Sequence, residues 1–169
     1  MNEGLEFVLR AILIGIGATL VLDTWALFLK RVFGIAGANW GFVGRWIGHF
    51  PRGQFVHADI AKTAPVRGER VIGWIAHYVI GMIFAAILLA GWGLGWTHRP
   101  TLLPALVIGV GTVVAPFFLM QPAMGAGIAA SKMPKPNIAR VRSLVTHAVF
   151  GVGLYGAAMF VARFVIVQS

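Results

Sequence analysis

The chain has no cysteine. Disulfides, thiolate zinc sites, iron–sulfur clusters and a cysteine nucleophile are therefore excluded. Compartment is left open by that absence. Charge is also scarce: 11% of the 169 residues are Asp, Glu, Lys or Arg, against about 25% in a soluble domain. Acid is scarcer still. Five carboxylates face 14 Lys+Arg, a formal net charge of +9. No HExxH metal-binding spacing and no GxSxG nucleophile elbow occurs.

What is present is apolar. Hydrophobic residues make up 59% of the chain, where about 45–50% is ordinary. An integral membrane protein is expected, forming one domain over residues 1–169. Its basic excess then suits the anionic cytoplasmic leaflet, and no nucleic-acid partner is expected. Four runs are long enough to cross a bilayer, which needs about 20 residues. They cover about 8–30, 70–95, 101–121 and 140–164. No signal-peptide cleavage site follows the first run at the usual spacing, so that run is expected to be retained. The fold class is an all-α membrane protein, a four-transmembrane-helix bundle.

The first loop, 34–70, places Trp40, Val43, Trp46, Ile47 and Phe50 near one helical face, with Gly41, Arg45, Gly48 and Arg52 on the other. That pattern predicts an interfacial amphipathic segment in the first cytoplasmic loop. Its glycines weaken the helix. Pro116 and Pro122 predict a kink or unwinding near Met120-Gln121, and Asn137 is placed to cap the fourth helix. The first and third loops hold Lys30, Arg31, Arg45, Arg52, Lys62, Arg67, Arg70, Lys132, Lys135, Arg140 and Arg142; the other side holds Arg10, Arg99 and Arg163. The positive-inside rule puts both of those loops in the cytoplasm of a bacterial cell and both termini outside the inner membrane. The bilayer is thus the first partner. Glycines at Gly15/Gly17 and Gly91/Gly93/Gly95 would allow contact between copies and a homo-oligomer.

A short repeat is visible. Gly15-Ile-Gly17 echoes Gly109-Val-Gly111, and His77-x-x-x-Gly81 echoes His147-x-x-x-Gly151. Two hairpins related by an axis along the membrane normal would give this, and so would a shared packing preference.

Counting depth at 1.5 Å per residue puts Asp23 and His77 roughly 10 Å inside the cytoplasmic end, with His147 slightly shallower. Met120 and Gln121 lie at the broken end of span three. An ionised aspartate at that depth costs several kcal/mol unless paired, and a histidine is the obvious partner. Three readings follow. One is a site that binds or conducts a proton, ion or small solute. The second is a histidine-ligated metal or haem protein using His77 and His147, although no cofactor is required by the sequence. The third is a structural or accessory subunit whose polar layer only packs helices. An enzyme using Asp23 and histidine as acid and base on an amphiphile is also compatible. In the first loop, Arg45, His49, His57, Asp59 and Glu69 could fold over the layer as a lid, and His49, His57 and Asp59 could hold a divalent metal. The alternative is an interfacial segment whose charges face water.

The stretches GIGATLVLDTW, GRWIGHFPRGQFVH, GWIAHYVIG, APFFLMQPAMGAGIAASKMPKP and SLVTHAVFGVGLYG together resemble the domain of unknown function 2938 family. The likeness runs from Gly15 to Tyr155. It implies a four-span bacterial inner-membrane protein and carries no activity, cofactor or catalytic residue.

Overall fold

A computed structural model describes residues 2–164, and those residues form helices and connections with no β-strand. Four stretches have the length and apolarity to span a membrane: Glu3–Phe33, Glu69–Trp92, Leu102–Ala123 and Pro136–Phe164. The protein is an all-α, four-span helix bundle. Large apolar side chains such as Leu20, Phe28, Ile83, Leu103 and Phe160 are exposed on it. In water such a surface would aggregate; in a bilayer it faces lipid.

Helix α1, Glu3–Phe33, starts at Asn2, whose side chain accepts from the Gly4 N–H, and ends at Gly34 in the left-handed region (φ 67°). Glu3 and Glu6 sit at its positive end and Lys30 and Arg31 at its negative end, matching the helix dipole. Its 31 residues amount to about 46 Å, more than the roughly 30 Å of hydrocarbon. Capping and charge at both ends therefore carry it beyond the apolar run. Helix α2 is Trp40–Gly48 and α3 is Glu69–Trp92. A short α4, Gly95–His98, leads into α5, Leu102–Gly111. The third span then loosens, reforms as a π turn over Pro116–Met120, and closes with α6, Gln121–Ala123. Helix α7 is Pro136–Phe164. It starts one residue before the expected cap. Pro136, with its preset φ and no N–H to satisfy, takes the first helical position, and Asn137 instead accepts from Arg140 Nη1 at 3.0 Å.

The irregular part of span three begins earlier than Met120-Gln121. Pro116 has no N–H to give to the Thr112 carbonyl, which accepts from Ala115 instead. Beyond it, the Gln121 N–H reaches back five residues to the Pro116 carbonyl. The span ends in a Schellman turn, with Gly125 N–H on Pro122 O and Ala126 N–H on Gln121 O.

The described residues fall into two compact units. The first comprises residues up to Gly37, Tyr78–Gly111 and the chain from Thr146. It contains the main core: Ile14, Ala18, Leu88, Leu89, Ala105, Leu154 and Ala158 with their neighbours. Its helices cross at glycines. Gly15 abuts Gly81 and Met82, Gly109 abuts Gly151, Gly17 abuts Ala157 and Gly153 abuts Ala18. Close backbone approach is what small residues give to membrane helices. Gly15 and Gly17 thus make contacts within the chain, whereas Gly91 and Gly95 meet open space. The second unit is Ala38–His77 with Thr112–Val145. In it α2 lies against the first turns of α3: a Cβ on Gly44 would fall into the Glu69 carbonyl, and one on Gly73 into that of Trp40. The glycines that weaken α2 as an isolated helix are what let it dock.

Candidate functional site

In the first unit, Tyr78 Oη donates to Asp23 Oδ2 at 2.9 Å, joining α3 to α1. Asp23 and Tyr78 are both half-buried. On the other pair of spans, His147 Nδ1 lies 3.1 Å from the Gly109 carbonyl oxygen. A carbonyl only accepts, so Nδ1 carries the proton and Nε2 is the basic nitrogen of the neutral ring. The His-x-x-x-Gly pattern explains this bond. Gly151 admits the backbone of α5, and His147, one turn earlier on the same face, meets the carbonyl brought close. The first copy of the pattern is built differently. Gly81 admits the backbone at Gly15, but the Gly15 carbonyl accepts from Thr19 Oγ1 at 2.8 Å.

In the second unit, His77 is buried and its ring stacks on Trp40, with centroids 3.8 Å apart and planes 25° apart. Trp74 meets it edge-on at 5.6 Å. Trp40 is held by the Asn39 cap, whose Oδ1 accepts from Gly41 N–H, and by the Gly44/Gly73 contact. Arg45 forms a fork with Glu69, Nε to Oε2 and Nη2 to Oε1, both at 2.8 Å. Its Nη1 donates to the carbonyls of Ile60, Ala61 and Thr63. The bond to Glu69 raises the Arg45 pKa further above its ordinary value, against the opposing effect of burial. His49 is buried with Nε2 on the Ala64 carbonyl and Nδ1 on Gln54 Oε1. The loop is pinned to the end of span three: His57 N–H bonds Ala123 O at 2.8 Å, Ile60 N–H bonds Met124 O at 3.1 Å, and Gly125 lies on Ala58.

A family model of proteins of unknown function, DUF2938, matches residues 12–161. The chain belongs to the DUF2938 family. No curated protein and no solved structure matches it.

The sequence candidates of this DUF2938 chain are placed as follows. Asp23 and His147 have the partners just described. His77 sits in an aromatic cradle. Met120 closes the π turn and Gln121 opens α6; both are half-buried, and Gln121 Oε1 is buried without a hydrogen-bond partner. The loop residues Arg45, His49, His57 and Glu69 are tied into one hydrogen-bonded fold. Asp59 accepts from Ala61 N–H and pairs with Lys62 at 3.4 Å. Among the described residues no group of three His, Cys, Asp or Glu side chains is arranged to hold a metal. The trio His49, His57 and Asp59 does not form one, because the nitrogens of His49 and the carboxylate of Asp59 are taken by the loop itself. Sequence reasoning missed Tyr78, Trp40 and Trp74. Tyr78 carried a signal: it is one of two tyrosines and stands beside His77 in an apolar run. Trp40 reads as part of the interfacial face of the first loop, since nothing local distinguishes an indole facing lipid from one facing imidazole.

Proposed function

We propose that this protein binds or conducts a proton, ion or small solute at an intramembrane site near the cytoplasmic side, with Asp23 as its acid and His147 as a proton-exchanging partner, both in the first unit. The 2.9 Å bond from Tyr78 to Asp23 carries the reading. Asp23 is the one acid within the apolar runs; Glu3, Glu6, Asp59 and Glu69 lie at helix starts or in the loop. Helix packing alone has no need of a group that must be paired or neutralised to stay in hydrocarbon. The 11-to-3 division of Lys and Arg between the two sides supports cytoplasmic first and third loops, periplasmic termini and a bacterial inner-membrane location.

Proton flux into liposomes, followed with a trapped pH-sensitive dye, tests the reading. Asp23→Asn keeps an acceptor for Tyr78 and removes the charge, so the helix contact survives while flux is lost. Tyr78→Phe lowers flux by about tenfold, the loss of one hydrogen bond to a charged group. Flux unchanged in Asp23→Asn would leave the packing role. A histidine-ligated haem is the second reading, favoured by one observation: the Nδ1 bond of His147 orients its ring as second-shell carbonyls orient metal-ligand histidines. A Soret band in the purified protein that disappears in His147→Ala would move the assignment there.

A further inference from the structure

A cleft of about 340 Å³ lies where the turn between the second and third spans meets the end of α7. Among the described residues, His98, Arg99, Pro100, Met159, Ala162 and Arg163 line it, and no acid does. Among the described residues Arg99 and Arg163 have no carboxylate within ion-pair distance. The other arginine at these helix ends is committed. Arg10 is buried, with Nε on Glu6 at 2.7 Å and Nη1 on Thr97 Oγ1 at 2.8 Å. Thr97 is fully buried and donates to the Leu94 carbonyl, so the turn that carries His98 and Arg99 is anchored from below. Glu6 Oε1 lies 4.0 Å from His98 Nε2.

Depth sets the partner. Residues 98–100 join two spans and Arg163 is next to last in α7, so the cleft opens where hydrocarbon meets headgroups. Guanidinium forks match phosphate oxygens in shape and charge. Met159 lines the cleft, and on the same last turns of α7 Phe160 and Phe164 are exposed, their rings tilted by 40° with centroids 4.8 Å apart. We infer that this cleft binds a phosphate-bearing anion between Arg99 and Arg163, with the apolar flank fitting the acyl chain of an anionic phospholipid.

Native mass spectrometry of the full chain in neutral detergent tests this, with phosphatidylglycerol, phosphatidylcholine and inorganic phosphate as probes. Phosphatidylglycerol is retained in preference to phosphatidylcholine, and Arg99→Gln/Arg163→Gln weakens its binding roughly 30-fold, about tenfold or less per charge near an anionic headgroup. Arg163→Gln alone, whose melting is expected to match the parent, shows a smaller loss and covers a misfolded double variant. Inorganic phosphate that displaces the lipid supports the site and assigns the free anion as its ligand; failure to displace assigns the headgroup. Equal retention of the two lipids, or retention unchanged in both variants, overturns the inference.

Discussion

Arg45 gives one side of its guanidinium to Glu69 and the other to three carbonyls of the loop. Each contact alone is modest, but removing the side chain strands a carboxylate and three acceptors together. Arg45→Ala is expected to lower stability by about 3 kcal/mol, the scale for breaking a poorly solvated ion pair. Arg45→Lys recovers only part, since an ammonium cannot form the fork. Thermal unfolding in detergent reads both; a melt unchanged in Arg45→Ala would show that the loop is held otherwise. Both residues stood among the sequence candidates, yet their pairing over 24 positions was not legible. Residue types announce that a charge needs a partner, and only the folded chain says which one. His147 teaches the same. Its depth was countable, but its partner is a backbone carbonyl, which no residue type reveals.

Span three shows the limit at the level of an element. The two prolines announced a disturbance, and they lie where hydropathy still reads as one apolar run. Where the disturbance starts depends on which carbonyls lose their N–H partners and how the chain satisfies them. Here the answer is a loosened turn at Thr112–Val113 and a π turn after it. Pro116→Ala restores a donor to the Thr112 carbonyl and should pull the span towards a regular helix. That change would shift Ala123 and weaken its bond from the His57 N–H. Hydrogen exchange at the His57 amide is expected to rise at least tenfold; unchanged exchange would mean that Pro122 alone sets the geometry. Helix α2 carries the opposite lesson. Propensity counts its glycines as a defect, because propensity describes a helix in water. Against α3, the missing Cβ atoms are the means of contact.

For the whole molecule, the repeat noticed in the sequence corresponds to two glycine crossings, Gly15 on Gly81 and Gly109 on Gly151. Gly15→Ala and Gly109→Ala each place a methyl against backbone and should cost about 1–3 kcal/mol. Gly91→Ala and Gly111→Ala, whose added methyl meets open space, should be neutral or slightly stabilising. Melting of the four variants checks the set; equal melts would remove the crossings from the account. The sequence by itself determined that the chain lies in a membrane, that it crosses four times, and that one acid and two histidines interrupt its apolar runs. These are statements about transfer from water to lipid and about covalent spacing, which composition and counting contain. Only the tertiary structure decided that Asp23 bonds Tyr78, that His77 stacks on Trp40, and that the first loop folds onto the end of span three. Those choices depend on how closely backbones approach at particular glycines, a distance that no local pattern encodes.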